Sequence, residues 1–230
     1  MDIAGSVALV TGANRGIGRS FAAELLERGA TVWATARRPE TVDLPGVRVL
    51  PLDVTDPASV AAAAEAASDV SLLVNNAGIS VQQNLVTGDV DRTRQEMEVH
   101  YFGTLHMIRA FAPVLAANGG GAIVTMLSAL SYGHFDGANS YAAAKAAQWS
   151  LVDAARLELA AQGTLVTGTY VGSVDTDMMA GWDVPKVHPD DVARAALDAV
   201  AAGETEALVD DDARGARAAL AARLAVTGAR

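Results

Sequence analysis

The chain has no cysteine among its 230 residues, which rules out disulfides and thiolate metal sites. That absence fits a cytoplasmic protein. No uninterrupted apolar run approaches the roughly eighteen residues of a membrane span, so no membrane segment is expected. The opening residues, MDIAGSVALVTG, carry no basic stretch and pass straight into a strand pattern, so no signal peptide is expected. Positive charge is scarce: 17 basic against 27 acidic residues leave a net charge of −10. That balance argues against nonspecific nucleic-acid binding. There is no internal repeat and no linker long enough to split the chain, and its length suits one domain.

What is present is half hydrophobic (51%), enough for a large core. Alanine is abundant and reads as helix surface and close helix packing. Asp210-Asp211-Asp212 reads as a strand end and helix cap rather than a metal site. Apolar, β-branched runs predict strands over 6–11, 30–35, 47–50, 71–74, 123–127, 164–170 and 206–209. Helical periodicity covers 19–28, 57–67, 90–118 (as one or two helices), 141–162, 189–202 and 213–226. Strands alternating with helices imply one parallel sheet covered on both faces.

The first strand runs into Gly12-Ala13-Asn14-Arg15-Gly16-Ile17-Gly18 and then a helix. Strand, glycine-rich turn and helix are what a dinucleotide-binding turn requires. Glycine lets the backbone approach a pyrophosphate, and the helix start offers free N–H groups and a positive dipole end. A tight turn with no ligand is the plainer reading. The second strand ends without the acid that would bind a ribose 2′-hydroxyl; Arg37 and Arg38 stand there instead. Guanidinium suits a 2′-phosphate, and Arg15 could add charge beside it, which points to NADP rather than NAD. A solvated turn is the alternative. Asp53 could accept from an adenine amino group, and Asn75-Asn76-Ala77-Gly78 could brace the first turn and leave room for a ribose.

Tyr141 and Lys145 are four residues apart near a predicted helix start, hence one turn apart on one face. A phenol has a pKa of about 10. A neighbouring ammonium favours its anion, and a shift of about three units needs roughly 4 kcal/mol. One lysine falls short of that without help from a cationic cofactor. Ser128, thirteen residues upstream of Tyr141, ends an apolar strand whose C-terminal end should face the ligand crevice. Alone, the Tyr-x-x-x-Lys pair is as consistent with a solvated helix.

Together, Thr11-Gly12-x-x-x-Gly16-Ile17-Gly18, Asp53-Val54, Asn75-Asn76-Ala77-Gly78, Ser128, Tyr141-x-x-x-Lys145 and Gly172-x-Val174-x-Thr176 resemble the short-chain dehydrogenases/reductases of the short NAD(P)-dependent type. The matches run in the family's order from about residue 6 to 178. The resemblance implies an α/β fold: a single Rossmann-type, doubly wound domain over 1–230. It implies a seven-stranded parallel sheet in the order 3-2-1-4-5-6-7, flanked by helices. It implies NADP(H) held by Gly12, Asn14, Arg15, Gly16, Ile17, Gly18, Arg37, Arg38, Asp53, Val54, Asn76, Ala77, Gly78, Tyr141, Lys145, Gly172, Val174 and Thr176. The implied activity is reduction of a ketone or aldehyde to an alcohol, or the reverse, as in a carbonyl reductase or alcohol dehydrogenase. Tyr141 would be the acid or base, Ser128 would hydrogen-bond the carbonyl oxygen, and Lys145 would hold the nicotinamide ribose and lower the tyrosine pKa. A homodimer or homotetramer would form on the long helices 101–118 and 141–162.

Two residues depart from the family pattern. His100 stands where the family has an asparagine that supports a lysine-linked water chain, and an imidazole with a pKa near 6.5 could relay protons in its place. Otherwise the chain would be an NADP-binding relative with weak or repurposed activity. Val171 replaces a common proline. Residues 177–188 would cover the substrate with Met178, Met179 and Trp182, suiting bulky or aryl ketones. His134 and Phe135 would line the same pocket or lie in an exposed loop.

Overall fold

Buried β-branched runs select parallel pairing when helices cover both faces. In the computed structural model, which describes residues 1–227 and their side chains to residue 223, seven strands do this. They are β1 (Val7–Thr11), β2 (Thr31–Ala36), β3 (Arg48–Pro51), β4 (Leu72–Asn75), β5 (Gly121–Met126), β6 (Thr164–Tyr170) and β7 (Glu206–Leu208). Their order is β3-β2-β1-β4-β5-β6-β7, parallel throughout, as expected. The last three residues of the expected 1–230 domain lie outside the described residues. The helices are α1 (Gly16–Glu27), α2 (Pro57–Ala66), α3 (Val90–Met97), α4 (Thr104–Ala117), α5 (Asn139–Leu159), α6 (Pro189–Ala202) and α7 (Asp211–Thr227). Among the described residues, no helix is long and apolar enough to cross a membrane.

Alternation along β1 divides the core. Ala8 and Val10 join Phe21 of α1 and Leu197 of α6 on one face. Leu9 joins Phe111 of α4 and Val152 of α5 on the other. β1 pairs with β2 on one side and β4 on the other, so the winding reverses between β1 and β4. Such a reversal splays the connections apart and opens a crevice above the strands' C-terminal ends.

Three local features differ from the sequence expectation. α1 begins at Gly16, three residues early, because the glycine turn is itself its first turn. α5 begins at Asn139, so Tyr141 lies inside it rather than opening it. The 90–118 segment is two helices, one of the two alternatives expected, but they are joined by an unanticipated wide π turn, Glu98–Gly103, which carries His100. A π turn inserts one extra residue per hydrogen bond and is often found at functional sites. One sequence reading holds. Asp210 caps α7 by accepting from Ala213 N–H at 2.9 Å, and it also accepts from Gly172 N–H at 2.9 Å. The segment after β6 leaves the sheet and returns, closed at its base by a bridge between Val174 and Val187.

The close approach of α1 to β1 depends on Gly18, where an added Cβ would lie 2.1 Å from the Gly12 carbonyl oxygen and 2.5 Å from Asn76 Nδ2. Backbone on one side cannot yield. Gly18→Ala should therefore lower the unfolding free energy by about 1–3 kcal/mol. An unchanged denaturation midpoint with unchanged slope would contradict this packing.

Candidate active site

The catalytic and cofactor-binding residues anticipated from the sequence, from Gly12 to Thr176, border a single cleft of about 2200 Å³ above the sheet, whereas Asn75 is buried and does not reach it. That exceeds the roughly 300–1,000 Å³ of an ordinary small-molecule pocket. It leaves room for a dinucleotide and a second molecule.

One end of the cleft is built by the glycine turn. Thr11 Oγ1 accepts from the N–H groups of Asn76 and Ala77, both at 2.9 Å, and Asn76 Nδ2 donates to the Thr11 carbonyl at 2.9 Å. The 75–78 turn therefore braces the first turn. Arg15, at the start of α1, supplies no side-chain cap, whereas Asp56 and Asp89 cap α2 and α3. The first N–H groups of α1 thus face the cleft with no side chain of their own to bind, an arrangement that suits a phosphate. Arg37 and Arg38 are exposed at the tip of β2 and border the same end. Arg15 is not free beside them: its guanidinium is paired with Asp177 of the covering segment at 2.9 Å. Burial pushes the Asp53 carboxyl up, but Thr55, donating from N–H and hydroxyl, and the Arg37 charge hold it below the usual carboxylate range. Thr176 lies against Gly16, and its hydroxyl donates to the Val174 carbonyl at 3.4 Å. These residues fit a dinucleotide phosphate and ribose.

The other end gathers Ser128, Tyr141 and Lys145. Ser128 is held rigidly: its N–H donates to Ser131 Oγ at 3.2 Å, and its own Oγ accepts from Leu130 N–H at 3.1 Å. The Lys145 ammonium lies 5.6 Å from the centroid of the Tyr141 ring. It donates to the Met126 carbonyl at 2.7 Å and to Gln148 Oε1 at 2.8 Å. Burial pulls the Lys145 pKa down to about 7. The Tyr141 ring keeps some exposure to the cleft, but protein crowds its surroundings. Burial drives its pKa well above the ordinary phenol value; hydrogen bonding with Ser128 opposes this and the Glu96 charge adds to it. The expectation that Lys145 lowers the tyrosine pKa is not met in the protein alone: loss of water prevails over the hydrogen bond with Ser128, and Lys145 is itself biased toward its neutral form.

His100 is buried on the π turn, with its ring edge-on to Tyr141 at 5.3 Å between centroids. A Cβ on Gly78 would meet it at 2.8 Å. Nε2 lies 2.7 Å from the Ile79 carbonyl and 3.4 Å from the Ile79 N–H, and the shorter contact assigns the proton to Nε2, donating to the carbonyl. Nδ1 is then an acceptor, buried without a partner. Burial first, and the Lys145 charge second, hold the His100 pKa well below 6.5. The ordinary imidazole pKa assumed for a relay is thus also corrected: the ring is neutral. Glu96 and Gln148 were missed from the sequence. Both lie at helical spacing from residues already singled out, Glu96 four before His100 and Gln148 three after Lys145. For Gln148, a polar residue on an otherwise apolar face was the available signal; Glu96 is one of several charges on α3 and gave none.

At the cleft mouth Phe135 and Trp182 meet edge-on at 5.5 Å, beside Met178. Gln82 Nε2 donates to the Met178 carbonyl at 3.4 Å, tying the cover to the loop after β4. His134 also borders the cleft.

Comparison with known proteins gives this geometry a context. A model of the short chain dehydrogenase family matches residues 6–185. An uncharacterized oxidoreductase of Staphylococcus aureus is 30% identical over 205 residues, covering 83% of this chain and 89% of the relative. A short chain dehydrogenase from Burkholderia cenocepacia, solved in complex with NADP, is 39% identical with a TM-score of 0.93, covering 99% of this chain and 98% of that one. A short-chain dehydrogenase from Streptomyces avermitilis is 26% identical with a TM-score of 0.86, covering 98% and 95%.

The depressed Lys145 pKa has a consequence for stability. An unfolded lysine titrates near 10.4. Between about pH 7 and that value the unfolded chain carries a proton that the folded one lacks, so stability rises with pH there. Lys145→Met removes this slope. The stability difference, wild type minus Lys145→Met, should rise from about pH 7 to about pH 10 in denaturant unfolding. A flat difference would contradict burial of the amine.

Proposed function

The chain belongs to the short chain dehydrogenase family, and on that premise we propose that it is an NADP(H)-dependent oxidoreductase that reduces a ketone or aldehyde to an alcohol, or runs that reaction in reverse. The reading is carried by one observation: Ser128, Tyr141 and Lys145 converge in a cleft whose other end is a glycine turn with uncapped helix N–H groups. NADPH, when bound, supplies the hydride. The chain's own residues supply the rest. Ser128, fixed by its turn, donates a hydrogen bond to the carbonyl oxygen. Tyr141 keeps its proton at neutral pH because burial disfavours the phenolate. It is therefore ready as a general acid toward an oxygen that is becoming an alkoxide, a far stronger base. Lys145 has used two of its three N–H groups on the protein, and the third remains for the nicotinamide ribose.

Arg37 and Arg38 support a 2′-phosphate, since the structure gives neither guanidinium an ion pair among the described residues. The apolar mouth formed by Phe135, Met178 and Trp182 supports a bulky or aryl carbonyl substrate. Leu157, 80% exposed on α5, and Phe102, 39% exposed at the foot of α4, support a homodimer or homotetramer on those helices. The neutral His100 with an unpartnered Nδ1 favours a second reading, a nucleotide-binding relative with weak turnover.

Purified protein with NADPH and a panel of aryl ketones, followed by NADPH absorbance, decides between the two. Turnover supports the enzyme; tight NADPH binding with no turnover on any ketone favours the second. Tyr141→Phe should cost about 10²-fold or more in kcat. Full activity in that variant would remove Tyr141 as the acid. Replacing both Arg37 and Arg38 by alanine should raise the KM for NADPH by about tenfold or more and leave that for NADH nearly unchanged. Equal effects on both cofactors would count against 2′-phosphate recognition.

A further inference from the structure

We propose that Gln148 is a positioning residue for Lys145, holding its ammonium group between strand β5 and the π turn that carries His100. The proposal deepens the oxidoreductase reading above and rests on it for its effect on turnover.

Gln148 sits on the core-facing side of α5 and is 1% exposed. An apolar side chain is the ordinary occupant of such a place. A primary amide is costly in such a place unless its polar atoms are partnered. Both are. Gln148 Oε1 accepts from Lys145 Nζ at 2.8 Å, and Nε2 donates to Thr104 Oγ1 at 2.8 Å. A lysine amine in its charged form only donates, so it takes the oxygen side of the amide. Thr104, buried and accepting, holds the nitrogen side. The amide is thereby locked at both ends. Thr104 is the first residue after the π turn, so the chain Lys145–Gln148–Thr104 ties the lysine to the segment that positions His100.

His100 does not do this work. Its one donor is committed to the Ile79 carbonyl, and it makes no hydrogen bond to Lys145. Of the two acceptors on Lys145, the Met126 carbonyl belongs to the backbone and cannot be tuned by sequence. Among the described residues, Gln148 is the one side chain that accepts a hydrogen bond from the amine. The ionisable groups that act on this corner are Tyr141 on the same helix, His100 on the π turn and Glu96 on α3, the last acting on Tyr141. Strand β5 offers only the Met126 carbonyl.

Lys145 and Lys186 are the only lysines in the chain, so isotope-labelled lysine gives two resolvable side-chain signals. The test is an NMR titration of Lys145 in the cofactor-free protein, with Lys186 as internal reference. Gln148→Met keeps the length and removes both polar atoms; it should move the Lys145 titration down by about one unit. Gln148→Glu should move it up, and Thr104→Val should move it down by less than Gln148→Met does. Thr104→Ser should restore the wild-type value. In turnover, Gln148→Met should lower kcat at neutral pH by about tenfold with the carbonyl KM within about twofold. The alkaline limb of the kcat profile should shift in the same direction as the titration. If Gln148→Met folds with wild-type thermal stability and Lys145 titrates as in the wild type, Gln148 only fills space and the proposal fails. If Gln148→Met does not fold, the Gln148→Glu and Thr104→Val shifts decide, and their absence overturns it. Should the wild type reduce no carbonyl, the enzyme reading falls, while the titration still judges Gln148.

Discussion

Lys145 gives up its water to helix α5 and strand β5 and receives two neutral oxygens in return, the Met126 carbonyl and the Gln148 amide. Neutral acceptors replace hydration incompletely, so burial brings the amine to a pKa of about 7. The same lack of water drives Tyr141 the other way, toward keeping its proton. An amine and a phenol are thus both biased toward their neutral forms in one corner. Any further charge placed there acts at short range with little screening. A corner of this kind responds strongly to what binds beside it.

The scaffold exists to hold that corner opposite the glycine turn. The sheet reverses between β1 and β4, which opens the crevice. Gly18 lets α1 press on the end of β1, and Asn76 laces the second turn to the first. Ser128 is fixed by a capping box, so its hydroxyl does not wander. The covering segment is closed at its base by the Val174–Val187 bridge and touches both walls, through Arg15–Asp177 and Gln82–Met178. Both of those ties are exposed, and exposed contacts of this sort are worth about 1 kcal/mol or less. The cover is therefore anchored at its root and lightly held at its tip.

Much of this was legible in the residues. Strand runs such as those at β1 and β5 are apolar and β-branched because both of their faces are covered, and that signature survives in any context. The glycine turn had a local signature, strand then glycines then helix, whereas Asn76, Ser128, Tyr141 and Lys145 were each ambiguous alone and legible only as a set through the family resemblance. The π turn was not. Its residues carry ordinary helical periodicity, and the extra residue appears only when α3 packs against α5 while α4 packs on β4 and β5. Gln148 is one polar residue on the apolar side of α5 and Glu96 one of several charges on α3, and their partners, Thr104 and the Val81 N–H, come from other elements.

The sequence by itself determined the order of the elements, the parallel sheet and which side chains would meet in the cleft, because hydrophobic period, turn chemistry and residue spacing act locally. Tertiary structure alone decided how those side chains are charged and aimed. Arg15 turns to Asp177, His100 is neutral with its proton on Nε2, and Tyr141 and Lys145 shift opposite to the simple pairing of phenol and ammonium. The reason is physical: the cost of losing water depends on everything packed around a group, and residues distant in the chain supply that packing.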